Sequence, residues 1–189
     1  MDKIIEITWH GRGGQGAKSA SQILAEALLD IGKYAQSFPE YGAERAGAPM
    51  KAFNRIADRK LTIYANVEAP DIVVVIDPTL LSAINVVDGL KENGILLVNS
   101  SSSPDSIRSK HKYPDNIKVF SLDASRIAVE TIGKDIPNTP MLGALSKVSG
   151  LITIKDLVEK FTEHFSHKLG EEVVKKNTEA LDRGFKEVK

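Results

Sequence analysis

The chain has 189 residues, with 25 Lys+Arg against 25 Asp+Glu, four His and no Cys. That length suits a single domain over residues 1–189, able to bury roughly 70% of its unfolded surface. Zero formal charge argues against a nucleic acid or membrane partner gripped through the overall field, and the missing cysteines exclude a disulfide framework, a thiolate nucleophile and a cluster held on this chain's own thiolates.

In chain order, Lys3–Trp9 predicts a short strand, followed at once by His10-Gly11-Arg12-Gly13-Gly14-Gln15-Gly16. The acidic second residue and the short apolar run do not make a signal peptide. No stretch approaches the about 18 apolar residues of a membrane span, so a cytoplasmic location is expected. From Ala17 the apolar period becomes helical, with Ile23, Leu24, Ala27, Leu28 and Ile31 on one face and Gly32 closing the helix. Lys33–Phe38 predicts a second strand, completing a strand, glycine loop, helix, strand unit whose short connections favour a right-handed parallel crossover. Residues 39–49 hold two prolines and read as a structured loop.

Met50–Ile56 and Lys60–Tyr64 predict strands around a polar turn, and Asp71–Ile76 predicts a strand buried on both faces. Asp77 and Pro78 read as the cap and first residue of a helix running to about Val87, with Asp77 a cap rather than an acid catalyst. Ile95–Val98 and Ile117–Leu122 predict further strands, and Ser100–Ser103 a polar loop at the sheet's carboxyl edge. Helices are expected over Asp123–Ile132 and over about 141–149, 154–167 and 170–187. The class is therefore α/β: a three-layer α/β/α arrangement with a mostly parallel sheet and a helical C-terminal region.

Gly11, Gly13 and Gly16 satisfy G-x-G-x-x-G between a strand and a helix, with Gly14 and Gln15 inside the motif. Such a loop brings backbone N–H groups close to an anion, and the helix N-terminus adds roughly half a positive charge. Arg12 and Lys18 lie within reach to add charge-assisted contacts. The competing structural reading is a tight turn that lets helix and strand pack closely. A dinucleotide site would also need an acid about 20 positions on, at the end of the second strand. Here Gln36-Ser37-Phe38-Pro39 occupies that place and Glu40 follows the proline, so the ribose anchor is missing or displaced. An independent Rossmann-like nucleotide-binding oxidoreductase or sensor is the alternative function. No G-x-S-x-G elbow is present. His164 and His167, beside Glu163, lack a third ligand and read as a solvated helix face, so no metal site and no catalytic residue is assigned. Trp9 reads as core and His10 as a candidate ligand at the mouth of the loop.

Two more segments join the glycine loop: Tyr41-Gly42-Ala43-Glu44-Arg45-Ala46-Gly47, and Asn138-Thr139-Pro140-Met141-Leu142-Gly143-Ala144. In this order, and spanning essentially the whole chain, the three resemble the gamma subunit of the pyruvate:ferredoxin and related 2-oxoacid:ferredoxin oxidoreductases. The family pattern is GxGGQG, a YGxExRGG-like loop and N-x-x-MLGA. In the family Arg is followed by Gly-Gly, whereas here Ala46-Gly47-Ala48 follows Arg45, which puts any close backbone approach at Ala46 and Ala48 in question. The resemblance implies a non-redox subunit, inactive alone, of a complex that converts pyruvate and coenzyme A to acetyl-CoA and CO2 and passes electrons to ferredoxin. It implies thiamine diphosphate with Mg, and iron–sulfur clusters, in partner alpha, beta and delta subunits, with coenzyme A as substrate and no cofactor bound solely by this chain. Gly11, Arg12, Gly13, Gly14, Gln15, Gly16 and Lys18 are then expected at an anionic ligand. Tyr41, Gly42, Glu44, Arg45, Asn138, Met141 and Gly143 are expected to serve active-site closure or subunit contact.

Overall fold

The computed structural model describes residues 4–40, 47–63 and 65–189. Its elements are β1 (Ile5–Arg12), α1 (Ala17–Asp30), β2 (Tyr34–Pro39), β3 (Pro49–Ala57), β4 (Ile72–Val75), α2 (Leu80–Ala83) and β5 (Ile95–Asn99). There follow α3 (Pro104–His111), β6 (Lys118–Leu122), α4 (Ala124–Ile132), α5 (Asn138–Ser149), α6 (Ile154–Leu169) and α7 (Glu171–Glu187). The strands form one sheet in the order β2-β3-β1-β4-β5-β6. β1, β4, β5 and β6 are parallel, and β3 runs antiparallel to both β1 and β2. The three-layer α/β reading holds.

Burial on both faces explains the strand sequences. In β4, Ile72 and Val74 join a core built with α1, α4, α5, α6 and α7, while Val73 and Val75 join a smaller one under α2 and α3. Five helices thus lie on one face. The two on the other face reach only part of the sheet. Continuous apolar runs such as IVVV follow from a strand with no solvent side.

The unit at the N-terminus differs from the expected one. β2 is parallel to β1, but β3 lies between them and pairs with both. Pro39 ends β2 and Pro49 begins β3, so the prolines bracket the loop instead of filling it. β1 also runs on through His10, Gly11 and Arg12, because Lys51, Met50 and Pro49 on β3 supply partners there. Residues 60–63 form no strand; Tyr64 lies outside the described residues. After Asp77 and Pro78 the helix lasts only over Leu80–Ala83, and residues 84–94 are irregular. α3 was not anticipated from the sequence: Ser103 caps it by accepting from the Ser106 N–H, with Pro104 following at its first turn.

α1 closes as its sequence suggests. The Gly32 and Lys33 N–H groups donate to the carbonyls of Leu29 and Leu28, the paired bonds of a Schellman motif. Ile31 sits at the cap and is 36% exposed, so the buried stripe stops at Leu28. The C-terminal helices pack with little clearance. A Cβ on Gly143 of α5 would lie 1.9 Å from the Leu181 carbonyl oxygen, and one on Gly184 of α7 would lie 2.0 Å from that of Pro140. Two glycines, one on each helix, let the backbones touch.

Candidate functional site

The glycine turn closes β1 and opens α1 at the carboxyl edge of the sheet. Gly16 caps α1 with φ 83°, a conformation open mainly to glycine, and its backbone passes so close to Asn138 that a Cβ would meet Nδ2 at 2.6 Å. The first and third sequence motifs are therefore joined in space. No side chain caps α1 and no acid stands in its first turn. The first N–H groups of the helix, on Ala17, Lys18 and Ser19, have no partner within the helix itself, and Lys18 is exposed with no ion-pair partner among the described residues. This terminus suits an anion.

The rest of the turn is braced from within. Gln15 Oε1 accepts from the Arg12 N–H at 2.8 Å, while Gln15 Nε2 donates to Asp77 Oδ2 at 2.8 Å. Arg12 donates to Asp77 Oδ2 from Nε at 3.0 Å, to the Gly47 carbonyl at 3.1 Å and to Thr79 Oγ1 at 2.9 Å. Asp77 Oδ1 accepts from both the N–H and the hydroxyl of Thr79. Burial opposes ionisation of this carboxyl. The hydrogen bonds from Thr79 and Gln15 and the charge of Arg12 outweigh it and hold the carboxyl below its ordinary range. Arg12 thus spends three of its five N–H donors on the fold, and Asp77 is a hub rather than the cap of α2, a position that Thr79 takes because the helix starts only at Leu80. Sequence reading overlooked that hub. The available signal was position: Asp77 ends a fully buried strand beside β1, where open α/β sheets gather function.

The expected loop residues divide in two. Tyr41, Gly42, Glu44 and Arg45 lie outside the described residues. Beyond them, Gly13 and Ala48 face each other: the Gly13 N–H donates to the Ala48 carbonyl, and the Gly47 N–H to that of Gly13. Of the two alanines in that stretch, Ala46 lies outside the described residues, and Ala48 is accommodated because Gly47 takes the positive φ of 81° and Ala48 does not need one. In the third motif, Met141 is fully buried and Gly143 lies against α7, so both act through the position of α5. Asn138 is 7% exposed, with its Oδ1 buried and unpartnered. Ser100–Ser103 sits at the carboxyl edge of β5 as expected, and nearby Asn99 pins that edge by donating to the Ile76 carbonyl and accepting from the Ala124 N–H. His164 pairs with Asp30 at 2.8 Å on the helix surface; among the described residues no cluster of three His, Asp or Glu could hold a metal. Among them, too, no helix is long and apolar enough to cross a membrane.

The turn opens onto a cleft of about 1120 Å³. Because α2 is short, the sheet face over β3 and β1 lacks a covering helix, and residues 66–68, 84–86 and 88 wall the space instead. Its floor includes His10, which is 4% exposed rather than placed at the loop mouth. Burial and the charge of Lys51, directly across on β3, lower the His10 pKa to about 4, against a smaller opposing effect of a backbone hydrogen bond with Val86. The unfolded chain takes up this proton near pH 6.5 and the folded chain only near 4, so between those values the unfolded state binds more protons and stability rises with pH. Full stability is present above pH 6.5, and about 3 kcal/mol is expected to be lost as pH falls to 4. Urea midpoints for the wild type and His10→Gln across this range check it: the variant's profile should be flatter, and parallel profiles would refute the assignment.

The geometry also bears on a dinucleotide site. With β3 between β1 and β2, the end of β2 is one strand further from the glycine turn than a dinucleotide fold places it. Among known proteins, residues 6–187 match the family described as pyruvate ferredoxin/flavodoxin oxidoreductase. The chain is 53% identical over 187 residues to pyruvate synthase subunit PorC of Thermotoga maritima, covering 99% of this chain and 96% of that protein. It is 45% identical over 180 residues to the pyruvate/ketoisovalerate oxidoreductases common subunit gamma of Pyrococcus abyssi, covering 95% and 97%. The crystal structure of the pyruvate oxidoreductase subunit PORC from Thermotoga maritima is similar with a TM-score of 0.86 at 51% identity, covering 99% of this chain and 98% of that one.

Proposed function

This chain belongs to the pyruvate ferredoxin/flavodoxin oxidoreductase family, and on that premise we propose that it is the gamma subunit of a multisubunit pyruvate:ferredoxin oxidoreductase. In that complex pyruvate and coenzyme A yield acetyl-CoA and CO2, and the electrons pass to ferredoxin. The chain has no cysteine to hold a cluster, so the electron path runs through its partners. Alpha, beta and delta subunits supply thiamine diphosphate, Mg and the clusters in this reading. The gamma chain binds an anionic part of coenzyme A and helps close the site. One observation carries this: a helix N-terminus free of acids and side-chain caps, beside exposed Lys18, held by the Gln15–Asp77–Arg12 brace.

The choice of 2-oxoacid lies elsewhere in the complex. Support comes from the Pyrococcus abyssi relative, whose name describes a subunit common to pyruvate and ketoisovalerate oxidoreductases. An independent Rossmann-type enzyme is disfavoured by β3 standing between β1 and β2.

In the intact complex, Lys18→Ala should raise KM for coenzyme A about threefold to tenfold with little change in kcat, because one charge-assisted contact to the bound ligand is lost. Arg12→Ala should raise KM as well and also lower stability, since it releases Asp77 and Thr79. An unchanged KM in Lys18→Ala would remove the glycine turn from the coenzyme A site. Tagged chain that recovers cysteine-rich and thiamine-binding chains supports the subunit reading, whereas tight NAD(P) binding by the chain alone would overturn it.

A further inference from the structure

The two edges of the sheet are finished differently. On the outer side of β6, Ser121 exchanges both backbone hydrogen bonds with Lys189, so this chain closes that edge itself. Among the described residues nothing comparable stands outside β2, whose one strand neighbour is β3. The register shows which groups are left over. Glu40 donates to the Lys51 carbonyl, and the antiparallel alternation carried back from there turns the backbone groups of Phe38, Gln36 and Tyr34 toward β3. The N–H and C=O of Ala35 and Ser37 therefore point outward. This free ladder has defined ends. Pro39 has no N–H to offer, and the Lys33 N–H is spent on the Leu28 carbonyl. Tyr34–Pro39 carries no charge, whereas edges protected from pairing commonly carry lysine or an inward-pointing charge. Beside it Leu29, Ile31 and Tyr34 are exposed, three of the nine large apolar side chains so exposed among the described residues, which gathers a third of them into one short segment.

We propose that the outer edge of β2 is a two-fold interface between two copies of this chain, in which the β2 strands pair antiparallel about Gln36 and join the two sheets edge to edge. The register follows from the strand's own content. Centred on Gln36, Ala35 of one copy faces Ser37 of the other and exchanges both outward hydrogen bonds with it, and the two-fold repeats the exchange. The same register sets each exposed Tyr34 across from the second copy's Phe38, an aromatic cross-strand pair formed twice. Sliding the strands by two residues replaces both pairs with Gln36 opposite a ring. Phe38 is held in place before pairing, 5.4 Å from the Phe53 ring and 5.5 Å from the Arg55 guanidinium. Strand addition draws affinity from main-chain bonds and register from side chains, and two uncharged strands bring no like charges together across the axis. A strand from a different subunit would have to match the two outward residues and the proline stop independently. A second copy matches them by symmetry. The interface does not depend on what the glycine turn binds.

Sedimentation of the full-length chain should give twice the monomer mass of 20.6 kDa. Ala35→Pro removes an outward N–H without touching a bond to β3, and an edge strand tolerates proline at such a position. That variant should sediment at half the wild-type mass with the wild-type urea midpoint. Gln36→Cys gives a second reading that does not depend on the proline variant folding. The chain has no cysteine of its own, so the new thiol is the only one it carries. Residues directly opposite in a non-hydrogen-bonded pair bring their Cβ atoms to about 4.5 Å, within a disulfide's span, so mild oxidation should turn most of the chain into a covalent dimer. Lys118→Cys, on the opposite edge strand, should form no such bond. A wild-type chain that sediments as a monomer overturns the interface, as does a dimer that survives Ala35→Pro or an equal disulfide yield at positions 36 and 118. In the intact complex, Gln36→Cys should give the same covalent pair, and a bond to a different subunit instead would overturn the second copy as the occupant.

Discussion

Gly143→Val is expected to prevent α5 and α7 from docking and to destabilise the chain by more than about 4 kcal/mol. An ordinary oversized core residue costs about 1–3 kcal/mol, because neighbouring side chains can shift. Here the first obstacle is backbone: the new Cβ would lie 1.9 Å from the Leu181 carbonyl oxygen, before the two methyl groups are considered. Relief requires the helices to separate. Separation opens the core around Met141, Leu142, Leu145 and Leu181, all almost wholly buried. It also carries Asn138 away from Gly16, so the glycine turn loses its neighbour. Urea unfolding and soluble yield measure the effect. A variant that stays within about 1 kcal/mol of wild type would show that the close helix approach does not hold the fold together.

The second large effect is expected at Arg55, which is 1% exposed on β3. Its Nε donates to Glu6 at 2.8 Å, and its Nη atoms donate to the carbonyls of Ile63 and Ala65. The guanidinium also lies 5.5 Å from the centre of the Phe38 ring. Arg55→Met keeps the apolar stem but leaves the Glu6 carboxylate and two carbonyls without their donor, at a cost of about 3–5 kcal/mol. The consequence extends to the site. Residues 63–65 lead into Asn66, Val67 and Glu68, which wall the cleft, so ligand affinity should fall with stability. Adding Glu6→Gln should recover part of the lost stability, since an unpaired amide is less costly to bury than an unpaired charge. If Arg55→Met alone has the stability of the wild type, the pair is not what anchors this wall.

Much of the fold was legible in the sequence, for reasons visible in single elements. β4 and β5 announce themselves because a strand covered on both faces has no position for a polar residue, and the period of α1 follows from its one buried stripe. What failed concerned where local signals stop. Pro78 suggested a helix to about Val87, yet the chain leaves helical form after Ala83, since neither a cap nor a proline fixes length. The two prolines were read as part of the loop between the flanking strands, yet Pro39 and Pro49 are the end residues of β2 and β3, where a ladder tolerates them.

The sequence alone determined the class of fold, the family resemblance and the absence of any thiolate chemistry, because these depend on composition, periodicity and ordered motifs. Tertiary structure decided how the motif residues are used. Gln15 and Arg12 were read as ligand contacts, and both turn out to brace the turn through Asp77, a residue more than sixty positions away. Gly143 was read as part of a contact surface, and its missing side chain is filled by α7. His10 was read at the mouth of a loop, and strand pairing with Lys51 draws it into the floor of a cleft with one nitrogen unpartnered. The physical reason is common to all three. A side chain's chemistry is written in its own residue, but its partners and its solvent are set by residues distant in the chain, which only the folded sheet brings together.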